Sequence, residues 1–266
     1  MKSYEKTIRG GIHLLRENKS LTLDALLALP ATPLFWMGFG GWGVSLLHKS
    51  VVFTVLFALF GLTLFIVGIF GEAKLETGAA RALSGEPLSH RIAARQALRR
   101  TAPLLLLKLV TIALAVGPIS VLSLAFGGGR AGSLVSVAIA FWGALVYWLD
   151  LYASRFVVLS EQGPLEALRS AWSLLLDTVK ETFQLSLALN LLNWIALALL
   201  GLSMGLVFAL LEGSYMALTI GVPFLFIVAW WLAWSVVTSG SWTIRFLQLR
   251  RTRHTVELPD GTKLFA

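Results

Sequence analysis

The sequence predicts an all-α integral membrane protein. The expected layout is six transmembrane helices from three tandem repeats of a cytoplasmic amphipathic helix plus a two-helix hairpin. Three observations predict it. The 266 residues are 57% hydrophobic and 14% charged, with mean hydropathy +0.79, whereas a soluble domain carries about 25% charged residues. Apolar runs long enough to cross a bilayer recur from end to end. Of the 22 Lys and Arg, 19 fall before the first run, in two alternate loops or in the tail. That pattern holds those segments on the cytoplasmic side.

Residues 1–20 carry Lys2, Lys6, Arg9, Arg16 and Lys19. At 100° per residue, Tyr4, Ile8, Gly11, Ile12 and Leu15 share one helical face and Glu5, Arg9, His13 and Arg16 the other. The first apolar run, 21–47, contains Pro30 and Pro33, which predict a kink or break. It also contains "GFGGWG", where Gly38, Gly40 and Gly43 match the G-x-G-x-x-G spacing of a dinucleotide-binding turn. That motif needs a preceding strand and an acidic residue about 20 positions on. The chain there reads "ALFGLT", so the glycines are assigned to close helix packing instead.

A second run, 51–70, leads into a basic segment, 71–102. Arg91, Arg95 and Arg99 recur at four-residue spacing there, with Arg100 beside them. Asn18 or Thr101 is placed to cap the membrane helix that follows it, with Pro103 in the first turn of the third run. Runs 103–124 and 134–156 form the second hairpin, and 183–211 and 216–246 the third. Between these hairpins, Leu165, Leu168, Ala171, Trp172 and Leu175 face one way, and Glu166, Arg169, Ser170, Ser173 and Asp177 the other. The tail, 251–266, holds "VELPDGTKLF", with Pro259-Asp260-Gly261 between alternating runs, a β-hairpin signal.

The repeat is carried by three nine-residue windows, "GGIHLLREN" (10–18), "AARQALRRT" (93–101) and "SAWSLLLDT" (170–178). They share small-small-x-x-[LA]-L-x-x-[NT] and are spaced like the hydrophobic hairpins. The chain thus reads as one membrane domain, 1–250, with repeats at about 1–70, 84–158 and 161–246 and a cytoplasmic tail.

The third window, "GPLEALRSAWSLLLDTVKETF", resembles the recurring g-x-x-x-A-L-r-x-S-w-x-L signature of YciC-like bacterial membrane proteins. Their relatives include the membrane domain fused to some glycerophosphodiester phosphodiesterases. The matching residues are Gly163, Ala167, Leu168, Arg169, Ala171, Trp172 and Leu174, with an alanine inserted before Trp172. The resemblance implies a polytopic bacterial inner-membrane protein and no catalysis. The phosphodiesterase barrel is absent: Ile92 follows His90-Arg91 where the enzyme motif has glycine, and a barrel needs about 250 residues of its own.

No catalytic or metal motif appears. His13, His48, His90 and His254 stand apart, without H-x-x-x-H or H-E-x-x-H pairs. Neither a G-x-S-x-G elbow nor a phosphate cradle occurs. There is no cysteine, hence no disulfide or thiolate site. No segment has the layout of a cleaved signal peptide.

Ionisable residues inside a span are functional candidates, because lipid makes them costly. Lys108 and Asp150 lie about 8 and 9 Å from the same membrane face on adjacent antiparallel spans, which allows an intramembrane ion pair. Asn190 and Asn193 suit interhelical hydrogen bonds, and Gly201 with Gly205 suits close helix approach.

The expected function is therefore non-enzymatic: a scaffold, accessory subunit or lipid-organising module of the bacterial cytoplasmic membrane, both termini inside. Arg91, Arg95, Arg99 and Arg100 would hold anionic lipid headgroups or the acidic surface of a protein partner in a membrane complex. No cofactor, metal or nucleic acid is expected. The alternative is a small transporter or channel using the Lys108/Asp150 pair.

Overall fold

A chain in lipid must satisfy its own backbone hydrogen bonds, so its apolar segments fold as helices. A computed structural model describes residues 3–31, 51–85, 89–126, 131–210 and 216–251, and every element in them is helical. Helix α1 is Ser3–Glu17, and α2 is Leu21–Ala28, closed by a 3-10 turn at Leu29–Ala31. Then come α3 (Val51–Leu83), α4 (His90–Phe126), α5 (Ala131–Ser160), α6 (Pro164–Leu210) and α7 (Met216–Arg251). Helices α3 to α6 are long and apolar enough to cross a membrane. The protein is accordingly a membrane protein. The motif "GFGGWG" and the tail with its hairpin signal lie outside the described residues.

The prolines act by removing an N–H donor. Pro30 stands in the 3-10 turn that ends α2, the break expected of it. Pro118 lies inside α4 and cannot bond back to the carbonyl of Leu114. Trp142 of α5 donates its indole N–H to that carbonyl at 2.9 Å. An interhelical bond thus replaces the missing intrahelical one.

The expected caps are not formed. Thr101 lies within the continuous α4, where segment and span are one helix, and its hydroxyl donates to the Ala97 carbonyl at 2.9 Å. Asn18 donates to the Leu14 carbonyl at 3.3 Å, closing α1 rather than opening α2. Thr178 does the same, to Leu174 at 2.7 Å. Its backbone (φ −128°, ψ 20°) kinks α6 between the segment and the span. These three residues hold the last position of the three sequence windows. The fifth position, Leu14, Ala97 or Leu174, is buried in each.

Helix α1 packs on α7, α4 on α3 and α6 on α5, while α3, α5 and α7 also meet one another. Glycines set two of the approaches. A methyl group on Gly11 would meet Ser241 and the Val237 carbonyl, and one on Gly240 would meet Leu14, so α1 and α7 nearly touch. Gly68 and Gly71 of α3 lie equally tight against the backbone of Leu27–Ala31. Gly201, by contrast, has nothing within 4 Å of a methyl group placed on it among the described residues.

The larger apolar cluster joins Ile69, Leu104, Leu107, Tyr152, Phe156, Leu175, Leu185 and Phe246. Edge-to-face rings lock it, Phe156 on Phe246 and Tyr152 on Trp242, with centroids 4.9 and 5.8 Å apart. Trp242 is therefore core and not part of an interfacial aromatic belt.

Candidate functional site

Polar side chains on α3 to α6 collect in one layer of this core. Lys108 of α4 donates to Asp150 Oδ2 of α5 at 2.6 Å, so the structure brings the two sequence candidates together. It also donates to Glu72 Oε1 of α3 at 2.7 Å, making a three-helix clamp. Thr111, one helical turn from Lys108, donates to the second oxygen of Asp150 at 3.1 Å. The ammonium thus lies between two carboxylates, all three side chains being only slightly exposed.

One turn further along α3, Glu76 meets Arg155 of α5 at 3.3 Å, with side chains 3% and 2% exposed. Ser154 donates to the same Glu76 oxygen at 3.1 Å. Arg155 also donates to backbone through its two terminal nitrogens, at the Leu151 carbonyl and at the Ser239 carbonyl of α7, 3.4 Å away. This guanidinium therefore ties α3, α5 and α7 at the place where they meet. Its planar array of five donors suits such a multi-partner junction.

A second polar contact closes the neighbouring seam. Asp24 of α2, 1% exposed, meets Lys74 of α3 at 2.7 Å, with His90 at the start of α4 3.9 Å away. On the α6 side, the Tyr152 hydroxyl and Thr182 share a 2.8 Å bond. Asn193 accepts from the Trp230 indole of α7 at 3.2 Å, the interhelical role expected of it. Asn190 instead bonds back to Ser186 within α6.

Glu72 and Glu76 escape a reading that ends the second span at residue 70, and Arg155, inside the fourth run, lies near enough to its end to pass for an interfacial charge. The signal was present. The run "GEAKLETGAARAL" has no proline and no adjacent pair of turn residues until Ser84-Gly85, and Glu72 and Glu76 lie one turn apart. Small residues, Ala73, Ala79 and Ala80, bury the same stretch of α3.

The arginines divide into two sets. Arg91, Arg95 and Arg99 are exposed on α4. Arg100 points elsewhere and pairs with Glu161 in the α5–α6 connection. Taking Arg91 as 0° and 100° per residue, the three arginines lie at about 0°, 40° and 80°. The exposed Leu98, Leu106 and Leu109 of the same helix fall at about 340°, 60° and 0°. The basic stripe therefore runs on directly into the outward apolar stripe.

Helix α6 has three faces rather than two. Ala167, Ala171, Leu174 and Leu175 are buried, Glu166 and Asp177 are exposed, and Leu165, Trp172, Leu176, Val179 and Phe183 form an outward apolar stripe. The apolar face expected to hold Leu165, Ala171, Trp172 and Leu175 together is thus split, with Ala171 and Leu175 buried and Leu165 and Trp172 exposed.

No group of three or more potential metal ligands occurs among the described residues. No family model, curated protein or solved structure matches the chain.

Proposed function

We propose that the chain is a non-enzymatic, multi-pass protein of the bacterial cytoplasmic membrane that organises anionic lipid along its inner rim, alone or as an accessory subunit. The observation that carries this reading is the alignment of Arg91, Arg95 and Arg99 with Leu98, Leu106 and Leu109 on one unbroken helix. An acyl chain lying on the leucines brings its headgroup to the arginines. Arg99 and Arg95 lie about 10 and 16 Å along the axis from Leu106, at 1.5 Å per residue, which is headgroup depth for a leucine in the outer hydrocarbon. Each basic residue beside an anionic surface contributes about 1 kcal/mol.

The proposal includes six spans in three repeats, with both termini cytoplasmic. Support comes from the shared side-chain bonds of Asn18, Thr101 and Thr178 and from the matched packing of α1, α4 and α6 on α7, α3 and α5. Further support lies in the ends of α3 and α5, where Leu83-Ser84-Gly85 and Leu159-Ser160-Glu161 each place the third residue in the left-handed region. The resemblance of "GPLEALRSAWSLLLDTVKETF" to YciC-like proteins points the same way. The Glu72–Lys108–Asp150 clamp is assigned a fold-fixing role, since both carboxylates hold the ammonium in place, and this is why the transporter reading ranks second.

The experiment compares the intact protein with the variant Arg91→Gln/Arg95→Gln/Arg99→Gln in nanodiscs of mixed zwitterionic and anionic lipid. Native mass spectrometry after release should show anionic lipid retained by the parent and lost by the variant. Arg100→Gln should keep its lipid, because Arg100 serves Glu161. Equal retention by the parent and the triple variant overturns the proposal.

A further inference from the structure

The arginine stripe of α4 has a shape that selects its lipid. Helix α4 runs unbroken from His90 to Phe126, although Pro103 stands inside it. Its 37 residues extend about 55 Å at 1.5 Å each, against a hydrocarbon core about 30 Å thick. The basic segment therefore leaves the membrane along the axis of the span. Helix α6 differs, since Thr178 kinks it between its segment and its span. The arginines of α4 consequently lie at successive heights above the lipid, not side by side at one height. Four-residue spacing separates Arg99 from Arg95, and Arg95 from Arg91, by about 6 Å each along the axis.

The stripe is also charged without compensation. Arg91, Arg95 and Arg99 are exposed, and no carboxylate pairs with them among the described residues. Residues 87–149 include neither Asp nor Glu. Glu161, which reaches α4 from the α5–α6 connection, is held by Arg100. Three positive charges are thus open to a ligand.

The apolar stripe that continues the arginines is narrow. Taking Arg91 as 0°, the exposed Leu106, Leu109, Ile112 and Val116 lie at about 60°, 0°, 300° and 340°. From Leu106 to Val116 they cover about 15 Å of helix, half of the hydrocarbon core. One extended chain in the inner leaflet fits along them.

Ordinary anionic headgroups match this array poorly. A phosphodiester lipid carries one negative charge at one height, so it meets one turn of the stripe and leaves the rest. A lipid with two phosphates bridged side by side holds both at the same height. A chain that ends in a diphosphate stacks its phosphates along its own long axis. Its inner phosphate carries one negative charge and its terminal phosphate about 1.5 to 2 near neutral pH, which together approach the three positive charges. Arginine takes phosphate through two parallel N–H donors, so successive arginines suit successive phosphates of one molecule.

We propose that Arg91, Arg95 and Arg99 form a binding site for a lipid diphosphate. Arg99 takes the inner phosphate, Arg95 and Arg91 take the terminal one, and the hydrocarbon chain lies on Leu106, Leu109, Ile112 and Val116. This inference rests on the reading that the stripe holds anionic lipid, and it names the class of that lipid.

The test places the intact protein in zwitterionic nanodiscs doped, at equal total charge, with a long-chain alkyl diphosphate, the alkyl monophosphate of the same chain, or cardiolipin. Native mass spectrometry after release reads what is retained. The parent should retain the diphosphate above both others. Arg91→Gln, farthest from the leucines, should lower diphosphate retention about fivefold, the effect of one basic residue at an anionic surface, and leave the monophosphate unmoved. Arg99→Gln should lower both. Equal retention of diphosphate and monophosphate overturns the inference while lipid organisation at the rim stands, and so does a preference for cardiolipin. Equal loss of both alkyl lipids in Arg91→Gln overturns it too, since the stripe would then act as diffuse charge. Displacement of the lipid by an equal concentration of inorganic diphosphate would show that the leucines contribute nothing, and also overturns it. A parent that retains none of the three lipids overturns the underlying reading, and this inference with it.

Discussion

Lys108 shows how far one buried charge can be reasoned about from sequence. Matched depth on adjacent antiparallel helices was enough to join it to Asp150, since rise per residue converts directly to height. The third member, Glu72, was hidden because hydropathy ends a span at the first cluster of charges, whereas α3 continues to Leu83. Two carboxylates on one ammonium give an unequal response to substitution. Lys108→Met strands both carboxylates and should cost about 3–5 kcal/mol, the range for an opened buried pair. Asp150→Asn leaves Lys108 with Glu72 and should cost less. In a double-mutant cycle followed by denaturant unfolding in mixed micelles, the two substitutions should couple, with the double variant less destabilised than the sum. Strict additivity would show that the clamp contributes nothing as a unit.

Elements are held here by close backbone approach as much as by side chains, and this was only partly legible. The sequence drew attention to Gly201 and Gly205 because of their spacing, yet Gly201 faces outward. Gly68 and Gly71 carry the approach to α2, and nothing in their spacing sets them apart, because the partner backbone is distant in sequence. A methyl group at Gly71 meets the Leu27 and Ala28 backbone, which cannot rotate away as a side chain can. Gly71→Ala should therefore destabilise by about 1–3 kcal/mol, the cost of overpacking, while Gly201→Ala should be neutral or slightly stabilising by helix propensity. Thermal unfolding of the two variants separates these outcomes. The turn after α5 makes a second case. Glu161 occupies the left-handed region at φ 58°, fixed by the Gln162 N–H to Phe156 carbonyl bond of 3.2 Å. The matching position after α3 is Gly85 at φ 74°. Glu161→Gly should relieve about 1 kcal/mol of backbone strain, offset in part by loss of the exposed Arg100 pair at about 0.2–1 kcal/mol. Gly85→Ala should show the opposite sign, unopposed.

For the whole molecule, the membrane class was legible from composition, because burial in lipid demands what a soluble core does not. The union of segment and span in α4 was not, since Pro103 resembles a helix start and yet lies in a helix interior. The proposed orientation rests on charge alone. Lys and Arg collect at the ends of α3 and α5 and at the starts of α4 and α6, while the alternate stretches of sequence between apolar runs hold Lys49 and Arg130. The positive-inside rule then predicts the α5–α6 connection in the cytoplasm and the start of α5 outside. Helix α5 has 30 residues, about 45 Å at 1.5 Å each, enough to hold its two ends on opposite sides of a hydrocarbon core about 30 Å thick. The chain has no cysteine, so single substitutions report without background. Glu166→Cys, exposed at the start of α6, should react with a membrane-impermeant maleimide only after the inner face is opened. Ser133→Cys should react from outside in intact cells. The reverse pattern would invert the protein, place the arginine stripe on the outer leaflet and remove the basis for lipid organisation at the inner rim. Labelling of both from one side would mean that α5 does not cross the membrane.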